Sequence, residues 1–407
     1  MRIAVWHNLP SGGGKRALYY HVRGLVQRGH EVHCWSLDNA DHDYLPLSEF
    51  ATERVVPLAT HSSKRKLSDR WTFSFNEAVR RMQEFDDACR LCAREIDAGK
   101  FDLLFANSAY YFNVPYVLRH SRTKKVLYLQ ESCRYLYEAR PVLPWVATAP
   151  DHLETQLIEP RRIMATYPNL QTLRIQAKQE WLNVQACDRL LVNSYFSRES
   201  AIRNYGVDPQ VCYLGVDTSL FRDRSLKREQ FVVGVGSFDP IKGVDLAIKS
   251  IALLDAPRPP LVWIANSVNE EYLKSMLELA VTLGVDLRLQ SSVSDEHLVE
   301  TLNRASVLVY TSRLEPFGFA PLEANACGLP VVGIAEGGIR ETVEGGVNGF
   351  LVNPDPKSVA EAVGRLLSEP QLADRLRKQG MDHVQQHWNV EASVDRLEAH
   401  LHEVAGQ

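Results

Sequence analysis

Short β-rich runs alternate with stretches of helical periodicity from one end of this chain to the other, and no other feature constrains its fold as strongly. That alternation is the pattern of parallel sheets built from βαβ units. Residues 3–6 are an apolar run, residues 12–14 a glycine turn, and Leu18, Val22, Leu25 and Val26 share one helical face; Gly29 closes that helix and residues 31–35 return to extended structure. Further strands are expected at 54–57, 103–106, 126–129 and 190–193, with long helices over 71–98 and 161–186. A second series places strands at 231–236, 261–265, 286–290, 307–310, 331–334 and 350–352, and Val244, Ala247, Ile248 and Ile251 give its first helix a core face. Between the two series, residues 222–230 are rich in charge and read as a linker. The expected architecture is α/β: two Rossmann-like doubly wound domains, 1–222 and 223–387, facing a deep cleft, with an amphipathic helix over about 388–407. Such sheets bind ligands beyond the carboxyl ends of their strands, so the cleft is the expected site.

Composition removes several classes of function. Lys and Arg number 46 against 50 Asp and Glu, a formal charge of -4, too balanced for a protein that coats nucleic acid. The seven cysteines (34, 89, 92, 133, 187, 212 and 327) are odd in number and show no CxxC pair, the pattern of reduced thiols in a cytoplasmic chain. No stretch approaches the roughly 20 apolar residues of a membrane span, and no secretory leader is expected. Basic residues at 64–66, 119–125 and 161–162 stand near Trp71, Phe73, Tyr116 and Ile163, which leaves peripheral contact with the inner face of a membrane open beside the simpler reading of solvated helix faces.

Three glycine-bearing turns precede expected helices, at residues 11–14, 316–319 and 336–339. Bare backbone can approach an anion closely there, and free N–H groups at a helix start favour phosphate. Gly234-Val-Gly236 resembles the start of a dinucleotide fingerprint, but Asp239 stands where its third glycine would be, so a nicotinamide role is rejected. Lys242, just ahead of Gly243 and a helix, could neutralise a diphosphate; an exposed lysine at a helix start is the alternative. Glu315 and Glu323 stand eight positions apart within EPFGFAPLEANACGLPVV, and ionised carboxylates can accept hydrogen bonds from vicinal hydroxyls of a ribose or pyranose. Asp41-His42-Asp43 mimics a D-x-D metal motif, but it follows no long strand and is read as a solvated turn.

Glu315 and Glu323 form the E-x7-E motif, and the chain resembles the retaining glycosyltransferases of family 4, which have the GT-B fold. The resemblance also covers Gly13-Gly14, Gly29-His30-Glu31-Val32, Asp188 through Ser194, Gly215-Val216-Asp217, Lys242-Gly243, and Gly337-Gly338 through Gly349-Phe350. It implies transfer of a hexose-type sugar from a nucleotide diphosphate sugar to an acceptor hydroxyl by front-face displacement, with the β-phosphate leaving and no metal or other cofactor. It implies that Glu315 contacts the transferred sugar, Glu323 the ribose, and Lys242 the diphosphate, with Gly13, Gly14, Phe317, Gly318 and Phe319 also lining the donor and Val293 beside the base. The last helix would pack on the N-terminal domain, and the acceptor would be a glycan, a lipid-linked molecule or a small molecule, not nucleic acid.

The chain departs from the family pattern twice. Ser237 follows Gly236 where an arginine is usual, so one phosphate clamp is missing, with Arg313 or Arg340 as candidate replacements. Gln130 stands where a histidine is usual; it can bond a sugar hydroxyl but carries no charge. These departures keep a second class in view, a sugar-nucleotide-binding partner subunit with impaired catalysis. A glycoside hydrolase using Glu315 and Glu323 across about 5 to 9.5 Å is the third, and it leaves the phosphate-type turns unexplained.

Overall fold

The computed structural model describes residues 1–58, 73–109, 112–137 and 160–406. The chain divides into two compact units, one of Met1–Asn193, Ser197–Cys212 and Arg396–Gln407, the other of Ser194–Phe196 and Tyr213–Asp395.

In the first unit the strands are β1 (Arg2–Asn8), β2 (Glu31–Leu37), β3 (Thr52–Val56), β4 (Leu103–Ala109), β5 (Lys125–Leu129), β6 (Arg189–Val192) and β7 (Gln210–Val211). All pair in parallel, in the order β3-β2-β1-β4-β5-β6-β7. The helices are α1 (Gly13–Gln27), α2 (Phe73–Ala98), α3 (Val117–His120), α4 (Arg134–Tyr137), α5 (Pro160–Val184) and α6 (Tyr195–Tyr205). Ile3, Ala4, Val5 and Trp6 are all fully buried, because a central parallel strand is covered on both faces and needs an unbroken apolar run. Trp6 meets Phe85 of α2 edge-on, at the heart of the first core.

The second unit holds β8 (Val232–Val235), β9 (Leu261–Ala265), β10 (Leu287–Ser291), β11 (Val307–Tyr310), β12 (Val331–Ile334) and β13 (Gly349–Val352), also parallel, in the order β10-β9-β8-β11-β12-β13. Its helices are α7 (Val244–Ile251), α8 (Glu270–Leu283), α9 (Asp295–Arg304), α10 (Phe319–Ala326), α11 (Ile339–Thr342), α12 (Pro356–Ser368) and α13 (Pro370–His387); α14 (Val390–Gly406) follows. Side-chain caps start three of them: Asn269 accepts from Tyr272 N, Ser294 from His297 N, and Asp355 from Ser358 N. Strand order reverses between β1 and β4 in one sheet and between β8 and β11 in the other, the two switch points where a doubly wound sheet opens for ligands.

The charged stretch 222–230 groups with the second unit and stays largely exposed, but Arg228 within it is anchored. Arg228 donates to four carbonyls, those of Leu302 (2.6 Å), Ala305 (3.1 Å), Cys327 (2.6 Å) and Gly328 (2.9 Å). Its five N–H donors suit the exposed carbonyl ends of α9 and α10. Asn303 joins in, accepting from Arg224 N and donating to Arg222 O. All seven cysteines are free thiols. Among the described residues no helix is long and apolar enough to cross a membrane.

Arg228→Ala is expected to lower the stability of the second unit by about 3 kcal/mol, because buried carbonyls lose a charged donor together. Urea unfolding followed by circular dichroism measures it.

Candidate active site

The second unit's switch point is built from two loops that lock together. After β8 the chain passes Gly236, whose φ of 146° favours glycine, then a single turn over Pro240–Lys242, then Gly243 at φ 66° into α7. Asp239 caps that turn by accepting from Ile241 N at 2.9 Å, and Ser237 Oγ donates to the same carboxylate. Ser237 therefore serves the turn. The loop after β11 runs beside it: Arg313 N donates to Ile241 O at 2.9 Å, and Thr311 Oγ1 to Lys242 O at 2.9 Å. A methyl on Gly243 would stand 2.5 Å from Thr311 O, so the absence of a side chain lets the loops close.

These contacts set Lys242 against Glu315. Lys242 Nζ lies 2.7 Å from Glu315 Oε2, and Ser312 Oγ donates to the same oxygen at 2.6 Å. The stem of Lys242 crosses Gly236, where a methyl would sit 3.2 Å from Cδ. Tyr310 lies buried beneath, and burial together with the Glu315 charge pushes its hydroxyl well above the usual range. Leu314, just before Glu315, takes the left-handed φ of 50° that non-glycine residues seldom adopt. Glu323 sits on α10, only 4% exposed, and Gly318 at φ 95° caps that helix.

The third glycine turn serves the second one. Gly338 N donates to Glu315 O at 2.7 Å, and a methyl on Gly338 would meet Pro316 O at 2.0 Å. The helix that follows, α11, has only four residues, so it offers little of the dipole expected at an anion site. Arg313 is engaged by Glu336 through two bonds of 2.7 and 2.9 Å, and Arg340 Nε donates to Gly337 O at 3.0 Å. Both candidate replacement cations thus brace the loops. Phe317 is buried against Phe319 and Trp388, a packing role. Val293, half-buried, stands on the loop after the edge strand β10, two strands from β8. Gly234, the first glycine of the apparent fingerprint, lies under Trp263, where a methyl would come within 2.3 Å of the ring.

In the first unit the turn is made by Ser11 and Gly12, with Gly12 at φ 137°, and Gly13 and Gly14 are already the first residues of α1. A methyl on Gly14 would meet Leu9 at 3.6 Å and Gln130 at 3.7 Å, which places the glycine turn beside the end of β5. Gln130 O accepts from Asn193 at 2.9 Å, while Gln130 Nε2 is buried with no partner among the described residues. Beneath α1 lies a polar layer that sequence reasoning missed. Glu53 Oε1 accepts from Ser36 Oγ at 2.9 Å and lies 3.6 Å from His7 Nε2 and 3.5 Å from His42 Nδ1. Lys15 is buried with them, its ammonium disfavoured by burial and favoured by the Glu53 charge. Asp41 accepts from Asp43 N and Tyr44 N, so the D-x-D segment is a turn. The basic residues at 64–66 and Trp71 lie outside the described residues, as do the side chains of Phe73, Arg161, Arg162 and Ile163. Of the remaining cluster, Arg119 covers the Tyr116 ring and bonds Gln179, and Lys124 and Lys125 bond Ala405 O and Ser121 O.

Comparison with known proteins agrees with this architecture. The family model described as Glycosyltransferase Family 4 matches residues 11–220, just over half of the chain, and that described as Glycosyl transferases group 1 matches 217–383. The chain belongs to glycosyltransferase family 4. It is similar to the D-inositol 3-phosphate glycosyltransferase of Geodermatophilus obscurus, 34% identical over 213 residues covering 46% of this chain and 47% of that protein. The same enzyme of Acidothermus cellulolyticus is 32% identical over 234 residues, 51% of each. The chain spans about half the length of the curated relatives it matches. Among solved structures, sucrose-phosphate synthase from Thermosynechococcus elongatus is similar with a TM-score of 0.73 and 18% identity, covering 100% of both chains. Anabaena HepE in complex with UDP and glucose gives a TM-score of 0.69 and 18% identity over 99% of each. At that identity the likeness is one of fold, the GT-B fold with its two Rossmann-like units.

Two predictions follow from the geometry. Gly338→Ala should cost about 1–3 kcal/mol, since its methyl strikes Pro316 O, whereas Gly14→Ala should leave stability intact; denaturant midpoints of the two variants compare them. Burial lowers the His7 imidazole to about 4, and the proximity of His7, 3.6 Å away, with other contacts lowers Glu53 to about 2. A histidine kept neutral by folding takes its proton first in the unfolded chain, so stability falls as pH drops from about 6.5 through 4, by roughly 3 kcal/mol for His7. The Glu53 contribution is lost only lower, from about 4.5 through 2. Unfolding free energies across this range should show the first loss in the wild type and a flatter profile in His7→Gln.

Proposed function

We propose that this chain is a retaining glycosyltransferase that moves a hexose-type sugar from a nucleotide diphosphate sugar to an acceptor hydroxyl. The observation that supports it best is the Lys242–Glu315 pair at the second unit's switch point, within the E-x7-E motif. Breaking the anomeric C–O bond leaves negative charge on the β-phosphate and cationic character on the sugar. Lys242 answers the first by exchanging Glu315 for the diphosphate, joined by the amides at Gly318 and the start of α10. Glu315, released, faces the sugar, and Glu323 accepts from the ribose hydroxyls. Gly13 and Gly14 add backbone donors from the first unit, and Ser237 and Val293 belong to the donor's surroundings.

For retention the acceptor oxygen bonds to the anomeric carbon on the face from which the phosphate oxygen departs. The acceptor proton goes to that departing oxygen. No protein base is needed, which fits the uncharged Gln130, whose free Nε2 is suited to hold a hydroxyl in place. No metal takes part in this scheme. The first unit presents the acceptor, a glycan, a lipid-linked molecule or a small molecule, and the clusters around Arg119 would serve a lipid-linked one at the inner membrane face.

UDP-glucose is the first donor to test, because a HepE structure holds it, with GDP-, ADP- and TDP-sugars beside it in a thermal-shift panel. D-inositol 3-phosphate is the first acceptor, from the names of the relatives. With the donor found, Glu315→Gln should lower kcat by about 1,000-fold while nucleotide affinity stays within about threefold, and Glu323→Ala should weaken nucleotide binding by at least about tenfold. Wild-type turnover in both variants would refute the assignment; nucleotide binding without turnover on any acceptor would favour the impaired partner subunit.

A further inference from the structure

Apart from the glycine turn, the first unit carries a second cluster of donor atoms, where α14 meets the segment that leads into β2. His30 Nε2, Glu398 Oε1 and His402 Nε2 lie within 4.8 Å of one another. His30 is buried just before β2, while Glu398 and His402 stand one turn apart on the same face of α14. His30 Nε2 is 2.7 Å from Glu398 Oε1, and His402 Nε2 is 3.9 Å from the same oxygen.

The outer atoms of two of these groups are already held. Arg28 takes Glu398 Oε2 at 2.7 Å, and His30 Nδ1 lies 3.1 Å from the Met1 nitrogen. Each of those side chains therefore turns its remaining donor atom toward the other and toward His402. The Arg28 contact orients the carboxylate as outer partners of metal ligands do, whereas His30 Nδ1 faces an ammonium and can donate to it only once the Met1 amine has lost a proton.

We propose that His30, Glu398 and His402 form a zinc site that fastens the last turns of α14 to the start of β2. Two imidazoles and one carboxylate are a borderline donor set that suits zinc, which commonly takes three protein ligands and a water. Nitrogen and oxygen ligands about 2.0–2.1 Å from a tetrahedral ion stand roughly 3.3 Å apart. The observed 2.7 and 3.9 Å straddle that spacing, so small rotations open one pair and close the other. The ion displaces the proton between His30 Nε2 and Glu398 Oε1, which leaves to solvent, and His30 Nδ1 takes a proton from the Met1 ammonium, so the imidazole stays neutral and donates back to the resulting amine. His402, 59% exposed, gives the path of entry, and its imidazole has the freedom to swing in. Arg28 stays on the outer oxygen, where it orients the carboxylate without occupying the ion's place. The role is structural and independent of the sugar chemistry proposed above.

Calorimetry on the full chain, stripped with EDTA and titrated with zinc chloride at neutral pH, tests this. One zinc per chain is expected. His402→Ala, which removes a surface ligand and leaves the buried His30–Glu398 bond in place, should fold and should bind zinc at least about tenfold more weakly. Zinc should raise the wild-type melting temperature and leave that of His402→Ala unchanged. His383→Ala is the control, because His383 and His387 form a neighbouring pair with ring centroids 5.5 Å apart; its zinc affinity should match the wild type. The absence of a stoichiometric site, equal affinity in His402→Ala, or loss of the site in His383→Ala would overturn the proposal.

Discussion

An ammonium and a carboxylate at 2.7 Å, half-sheltered at the reversal of a parallel sheet, are the interaction on which the second unit's site depends. Each partner is delivered by a loop that is braced elsewhere: Lys242 by a capped turn between two left-handed glycines, Glu315 by Ser312 and by the Gly337-Gly338 backbone pressed against it. The two charges neutralise each other. Under the proposed function, a diphosphate, with more negative charge and more acceptor oxygens than one carboxylate, would compete for the lysine and free Glu315 in the same event, making binding and activation one exchange of partners.

The fold was legible wherever burial on both faces demanded unbroken apolar runs. The boundaries of β9, β11 and β12 fall where hydrophobic stretches begin and end, since a central parallel strand has no polar side to blur them. The two-residue β7 escaped because so short a strand leaves no pattern. The anchoring of Arg228 within the charged stretch before β8 was not legible, because charge suggests solvent, yet a guanidinium can bury its head among carbonyls that need donors. Of the candidate site, motif spacing singled out Lys242, Glu315 and Glu323, and the structure brings the first two together. What was not legible was which glycines meet a ligand and which merely let backbone meet backbone: Gly338 and Gly234 belong to the second kind, and only three-dimensional neighbours reveal it. Arg313 and Arg340 looked like spare cations for the same reason, their partners lying well away in sequence or on the backbone.

The first unit has its own switch point, and its chemistry is different. Instead of a half-sheltered ion pair it has the buried His7 and Lys15 with the largely sheltered Glu53 side chain near the start of α1, and Gln130 beside Gly14.

The most direct test of the exchange at Lys242 is a crystal structure with an intact nucleotide diphosphate sugar bound. In such a structure Lys242 Nζ is expected about 2.8 Å from a phosphate oxygen, with Glu315 turned from the lysine to the sugar and the ribose hydroxyls on Glu323. A diphosphate bound elsewhere, with the Lys242–Glu315 contact unbroken, would contradict it.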